Sequence, residues 1–362
     1  MIKQETVYEM RLVSALEKVF LDERPVYRPE CMKLTALKGE TVSFQAACTC
    51  TSFMKNRVKV RIESPISDRI HVRKVENVPA GRVCGPIVDD NYLKTESGLY
   101  PDLLRELVDG EVDIFPQKWR SIWIDIEVTE DVKAGLYPVT VILEKDGETL
   151  ARAATEVTIY DAVLPKQKMM HTEWFYLDCL ADYYHVPVFS EEHWEIITNY
   201  LKEYVKRGCN MILTPLFTPA LDTAVGIERT TTQLLDVRVE NGNYSFGFDR
   251  VKKWIDLCQS CGIEYFEICH LFSQWGAKYA PKVMAVVNGK EEQIFGWHTP
   301  AVGEYTKFLH SLLPQLTEKL REWGIDKVTY FHLSDEPREE HLESYRAAKE
   351  SIEGLLDGFH TF

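Results

Sequence analysis

The hydrophobic pattern of this chain changes period once, near Ala162-Val163-Leu164-Pro165, and that change limits what it can fold into. Before it, apolar residues recur at every second position. Val42, Phe44, Ala46 and Cys48 alternate with Ser43, Gln45 and Ala47; Val58, Val60 and Ile62 alternate with Lys59 and Arg61; Ile122, Ile124, Ile126 and Val128 alternate with Trp123, Asp125 and Glu127. Period two marks strands with one buried face. Asp146-Gly147 separates two such runs, 139–143 and 149–160, as a hairpin turn would, because both residues tolerate positive φ. Many short strands with turn residues between them predict an antiparallel β-sandwich over residues 1–165. The opening segment, Met1 to Phe20, follows neither period.

After Pro165 strands alternate with helices. Residues 171–180 read as a strand running into a loop. Ser190 is placed to cap a helix whose buried stripe is Trp194, Ile197, Leu201 and Tyr204, with Gly208 ending it. Strands follow at 210–214, 265–271 and 327–333, and hairpins at Asn241-Gly242 and Asn288-Gly289. Helices are expected over 250–261, from Thr299-Pro300 to Trp323 with Tyr305, Phe308, Leu312, Leu316 and Leu320 on one face, and from Pro337 to Leu355. Repeated βα units predict a parallel sheet. Polar and aromatic residues gather at the carboxyl ends of its strands (Asp178, His270, Trp275, Asp335, Glu336), which favours a (β/α)8 TIM-like barrel over a doubly wound sheet. No Gly-rich phosphate loop follows any strand. About the first four βα units are visible, near 171, 210, 265 and 327, and Gly358 to Phe362 looks like the start of a fifth strand. The expectation is a multidomain chain: a sandwich over 1–165, then a catalytic barrel domain over 166–362 that is truncated at its C-terminus.

The formal charge of −14 argues against nucleic-acid and anionic membrane partners. No run approaches the about 20 apolar residues of a membrane span, and the first residues show no secretory signal, so a cytoplasmic protein is expected. Nine scattered cysteines suit reduced thiols better than a disulfide framework. Cys258 and Cys261 have redox or zinc spacing but lack a second ligand pair, so core packing is the preferred reading. No His/carboxylate set shows metal-site spacing; no metal and no cofactor are expected. Nothing in the chain speaks to its oligomeric state.

Asp335 and Glu336 sit where the fourth strand ends. Cleaving a glycosidic bond requires a proton for the leaving oxygen and stabilisation of a cation-like sugar, tasks suited to two carboxyl groups. Neighbours in a strand point to opposite faces, but at a strand end the backbone turns and both can reach the mouth of a barrel. A charged Asp335 disfavours a second charge on Glu336; a helix starting at Pro337 would favour it. Capping of that helix is the competing structural explanation for the pair.

Several segments together resemble glycoside hydrolase family 123 and the related domain-of-unknown-function 4091 proteins. They are His171-Thr172-Glu173-Trp174-Phe175-Tyr176-Leu177-Asp178-Cys179-Leu180-Ala181, the stretch Pro187 to Trp194, Gly296-Trp297-His298-Thr299-Pro300 and Leu333-Ser334-Asp335-Glu336-Pro337. Trp119 to Asp125 and Ala134 to Tyr137 extend the resemblance into the first domain. It implies a sandwich followed by a barrel, and hydrolysis of terminal β-linked N-acetylhexosamine, N-acetylgalactosamine-like, by substrate-assisted retaining catalysis. Glu336 would then be the acid/base and Asp335 the partner of the acetamido N–H, so that no protein nucleophile is needed. Glu173, Trp174, Asp178, His270, Trp275 and His332 are the candidate substrate-binding residues, by sugar stacking or hydroxyl contacts. Two other readings stay open: a retaining glycosidase whose nucleophile lies beyond residue 362, and a noncatalytic carbohydrate-binding or structural protein on the same scaffold.

Overall fold

The computed structural model describes residues 6–26, 33–81, 91–221, 223–224 and 226–362. The chain forms two compact units, Met1–Lys166 and Gln167–Phe362.

The first unit is built of strands: β1 (Tyr8–Ser14), β2 (Lys33–Lys38), β3 (Thr41–Cys50), β4 (Asn56–Glu63), β5 (Ile70–Ala80), β6 (Gly98–Glu106), β7 (Glu111–Ile114), β8 (Arg120–Glu127), β9 (Gly135–Lys145) and β10 (Glu148–Val163). They form two five-stranded sheets, ordered β1-β3-β8-β5-β6 and β2-β10-β9-β4-β7. Phe44, Ala46 and Cys48 of β3 and Ile122, Ile124 and Ile126 of β8 share one apolar cluster with Val139, Val141, Leu143 and Val157 of the other sheet. The alternation seen in the sequence thus turns the inner faces of two sheets toward one core. Asp146 and Gly147 take φ of 53° and 83°, which closes the β9–β10 hairpin in two residues.

Two features depart from expectation. β2 lies at a sheet edge and runs parallel to β10, so this unit is not wholly antiparallel. The opening segment forms β1 along β3, with Tyr8 opposite Cys50 and Ser14 opposite Phe44. Its pattern was mixed because both of its faces are covered. Leu12 joins the main cluster, while Val13 packs with Val19, Ala47 and Trp119. That second cover also buries Gln45, whose amide nitrogen donates to the Ser14 and Glu17 carbonyls.

The second unit runs α1 (Leu177–Tyr184), α2 (Glu191–Lys206), β11 (Met211–Thr214), β12 (Asp236–Glu240), β13 (Asn243–Gly247), α3 (Asp249–Cys261), β14 (Tyr265–Ile268), β15 (Val283–Val287), β16 (Lys290–Phe295), α4 (Glu304–Glu322), β17 (Thr329–Phe331), α5 (Leu342–Glu350) and β18 (His360–Thr361). β11, β14, β17 and β18 are parallel neighbours in chain order. Thr172 adds a parallel bridge to Met211. This sheet has four strands and does not close on itself among the described residues. The hairpins β12–β13 and β15–β16 combine into a second sheet.

Ser190 accepts a hydrogen bond from the His193 N–H at the start of α2, and Trp194, Ile197 and Leu201 are buried along that helix. Three boundaries differ from the sequence reading. Residues 171–180 keep only a single strand-like bridge, at Thr172, and do not run into a loop: Leu177, Asp178, Leu180 and Ala181 form the buried face of α1. The helix expected from Thr299 begins at Glu304, because backbone bonds from Ala280 to Thr299 and from Ala301 to Lys278 hold the preceding residues in a bridge. The helix expected from Pro337 begins at Leu342, after a single 3-10 turn over Glu339–His341, and ends at Glu350. No helix among the described residues is long and apolar enough to cross a membrane.

Phe308 of α4 ties this unit together. Its ring lies 5.1 Å from Tyr244, 5.6 Å from Phe246, 5.2 Å from Phe295 and 6.0 Å from Phe217. Phe308→Ala should therefore lower the stability of this unit by about 3–5 kcal/mol, read as a fall in its urea midpoint; a loss below about 1 kcal/mol would show that the two hairpins do not depend on this ring.

Candidate active site

Backbone bonding continues past the ends of β14 and β17. Leu271 N–H donates to the His332 carbonyl at 3.0 Å, Phe272 N–H to Leu333 at 3.0 Å and Trp275 N–H to Asp335 at 2.9 Å. The Ser334 hydroxyl donates to the Ser273 carbonyl at 2.8 Å. Residues 332–335 are thereby held as an extension of the sheet. Asp335 is half-buried and Glu336 is exposed. Glu336 has φ of 44°, the left-handed region, which costs a non-glycine residue roughly 1–2 kcal/mol. This turn ends the strand alternation just where the two carboxyl groups follow one another. Because α5 starts only at Leu342, neither residue lies in its first turn.

Below this segment lies a polar cluster. Glu267 on β14 is 1% exposed. Its carboxylate accepts from Trp174 Nε1 at 3.2 Å and Thr172 Oγ1 at 3.4 Å, and it stands 2.9 Å from His332 Nδ1, which must carry a proton to donate to it. The His332 and His270 rings are 3.7 Å apart, and Trp174 meets His270 edge-on at 5.4 Å. His270 is 3% exposed, and neither of its ring nitrogens has a hydrogen-bond partner. Burial first, and the neighbouring His332 second, push its pKa well below the usual histidine range, so it is neutral at pH 7.

The structure thus brings Trp174, His270 and His332 together, three residues before Asp335 in the case of His332. It places the other candidates elsewhere. The Glu173 carboxylate is exposed and pairs with His171 Nε2 at 3.1 Å, while its backbone bonds the Tyr204 hydroxyl of α2; it does not join the cluster. Asp178 lies in the first turn of α1 rather than in a loop. It is buried and takes two bonds from Arg229, at 2.7 and 3.2 Å, and the Arg229 guanidinium covers the Tyr176 ring at 3.9 Å. That ion pair fastens a loop to α1 and uses up the carboxylate. Trp275, 38% exposed with φ of 58°, is anchored through its backbone to Asp335 and presents its ring outward.

Sequence reasoning missed Glu267. Glu267, His270 and His332 each bring one potential ligand atom within 4.8 Å of the others, a grouping that linear spacing does not reveal. Only the parallel pairing of β14 with β17 joins residues so far apart in the chain. Cys258 is buried in α3, and burial raises its thiol pKa well above the usual value, which suits packing rather than redox chemistry. The seven described cysteines are free; Cys31 and Cys84 lie outside the described residues.

Two family descriptions match the chain: glycoside hydrolase 123, catalytic domain, over residues 174–361, and glycoside hydrolase 123 N-terminal domain, over residues 20–145. Among solved structures, a family 123 glycoside hydrolase from Clostridium perfringens, described for its glycolipid glycan hydrolysis, aligns with a TM-score of 0.73 at 17% identity, over 98% of this chain and 63% of that one. This chain therefore spans less than two thirds of that protein, and at such identity the likeness speaks for the fold. The N-terminal domain of PorA aligns at 10% identity over 42% of this chain and 99% of its own, with a TM-score of 0.22. A Listeria innocua β-glucosidase in complex with glucose aligns at 12% identity over 44% of this chain and 17% of its own, with a TM-score of 0.21. Neither score carries an argument. A search of curated proteins gave no match.

The loop that supports Asp335 has its own weak point. Gly276 has φ of 103°, its carbonyl accepts from Ser344 Oγ at 2.6 Å, and a Cβ there would stand 2.6 Å from His341 Cβ. Gly276→Ala should cost about 1–3 kcal/mol through overpacking and speed hydrogen exchange across 271–276 and 332–344. Unchanged exchange in both segments would show that this contact does not hold the loop.

Proposed function

The chain belongs to glycoside hydrolase family 123, and on that premise we propose that it hydrolyses terminal β-linked N-acetylhexosamine, N-acetylgalactosamine-like, by substrate-assisted retaining catalysis. The observation that carries this reading is the placement of Asp335 and Glu336: consecutive, tethered by the 271–275 segment, one half-buried and one exposed at a left-handed turn. Glu336 gives its proton to the glycosidic oxygen as the bond to the anomeric carbon breaks. The carbonyl oxygen of the substrate's own 2-acetamido group closes on that carbon, and the Asp335 carboxylate accepts the acetamido N–H and offsets the positive charge of the oxazolinium ring. Water then opens the ring as Glu336 takes back a proton. Two inversions leave the anomeric configuration unchanged. Substrate assistance needs no second carboxylate at nucleophile distance, which is why two adjacent carboxyl groups suffice. In this reading Trp174 and Trp275 stack on the apolar side of a sugar.

In this reading residues 166–362 are the catalytic domain and their parallel strands, neighbours in chain order, belong to a (β/α)8 barrel, while residues 1–165 form the noncatalytic sandwich. A glycan of the glycolipid kind, as described for the C. perfringens relative, is the substrate class we carry over.

The test is hydrolysis of an aryl N-acetyl-β-galactosaminide by the full-length protein. Glu336→Gln should lower kcat/KM by about 10²–10⁴-fold, and Asp335→Asn should be comparably damaging on acetamido sugars. A thiazoline analogue should inhibit, and a fluorinated sugar should leave no covalent adduct. Near-wild-type turnover in Glu336→Gln would reject it as the acid; unaltered turnover in Asp335→Asn, or a trapped adduct, would reject substrate assistance.

A further inference from the structure

The hydrolytic scheme leaves Glu267 and His270 unused, and their surroundings are unusual for groups that only pack. Among the described residues the Glu267 carboxylate has Thr172, Trp174 and His332 as partners, and none of these is a lysine or arginine. A carboxylate at 1% exposure without a fixed cation is strongly disfavoured. His270 at 3% exposure leaves both ring nitrogens without a hydrogen bond. Buried polar atoms nearly always find partners, so this one calls for a missing one.

We propose that Glu267, His270 and His332 bind a divalent transition-metal ion of the zinc class. One ligand atom of each lies within 4.8 Å of the other two, close enough for small side-chain rotations to gather them on one ion. Two imidazoles and one carboxylate are borderline donors that suit Zn2+, whereas Ca2+ and Mg2+ favour all-oxygen sets. The ion supplies a fixed positive charge beside Glu267, which otherwise has only His332 as a potential cation, and the partner that His270 lacks. Thr172 and Trp174, both hydrogen-bonded to Glu267, fix the orientation of its carboxylate, as outer partners of metal ligands do. Where the ion takes His332 Nδ1, the proton shared with Glu267 moves to the other ring nitrogen, Nε2, and the neutral imidazole binds through Nδ1.

The three ligands come from β14, from the residues just after it and from the residue just after β17. An ion there cross-links β14 to β17, the strand whose extension carries Asp335 and Glu336. It is a positioning element beneath the carboxylate pair, and no step of hydrolysis passes through it.

The test needs no substrate, so its outcome is independent of the proposed hydrolysis. Protein stripped with a chelator is titrated with ZnCl2, and separately with CoCl2, by calorimetry and visible absorption, and thermal unfolding is followed with and without metal. One ion per chain, Co2+ bands of a four- or five-coordinate site and a higher Tm with metal are expected. Trp174→Phe, which removes an outer hydrogen bond, should weaken binding by about 10–100-fold, and His270→Ala and the nearly isosteric Glu267→Gln should weaken it further. Near-ultraviolet circular dichroism establishes that each variant is folded. No binding by folded wild-type protein, or binding unchanged in folded His270→Ala, overturns the proposal; the latter would assign the ion to other histidines.

Discussion

Backbone groups that leave a sheet must find new partners, since an unpaired N–H or carbonyl away from water is costly. The chains of β14 and β17 meet this demand by staying together. Leu271, Phe272 and Trp275 continue to donate to His332, Leu333 and Asp335 beyond the last regular pair, Ile268 with Phe331. Everything of chemical interest in the second unit hangs on that extended ladder. It brings His270 against His332, sets Ser334 on the Ser273 carbonyl and delivers Asp335 half-buried to the top of the sheet. If the two extensions separated, no short-range interaction would reassemble the group.

The polar residues sort by depth. Deep in the sheet, Glu267 is screened from solvent and bonded by an indole, a hydroxyl and an imidazole. Its environment is fixed by packing rather than by water, which favours a rigid orientation. At the rim Glu336 is exposed to solvent. Asp178 shows the contrasting use of a buried carboxylate. Two short bonds to Arg229 satisfy it, and the same guanidinium covers Tyr176, so the charge is spent on joining a loop to a helix.

What could be read from the sequence was the local chemistry. Asp146-Gly147, Asn241-Gly242 and Asn288-Gly289 all take positive φ at hairpin turns, and turn geometry is decided by the residues in the turn. The α4 stripe from Tyr305 to Leu320 is buried as its spacing requires. β1 was illegible because Leu12 and Val13 are buried on opposite faces, which erases the alternation. Asp178 read as a loop residue because its helix is short and follows three aromatic residues. Glu267 was invisible because one acid in a Tyr-Phe-Glu-Ile strand looks like a solvent-facing position; only β11 and β17 on either side bury it. Its partners Thr172, Trp174 and His332 arrive from distant parts of the chain. The place of Asp335 and Glu336 at a strand end was legible from the sequence pattern, but the turn that orients them was assigned to a helix that starts later.

That turn bears on why the strain at Glu336 persists. A non-glycine residue leaves the left-handed region unless both sides of it are held. On one side the ladder to 271–275 fixes Asp335. On the other, Ser344 bonds the Gly276 carbonyl, and the close approach of His341 to Gly276 leaves no room for a side chain there. The same loop, 271–276, therefore grips the chain before and after Glu336. Trp275, Gly276 and Ala277 themselves all have positive φ, so the loop is curled in the way this double grip requires. The conformation of the exposed carboxylate is thus determined less by its own contacts than by a neighbouring loop pinned at two points.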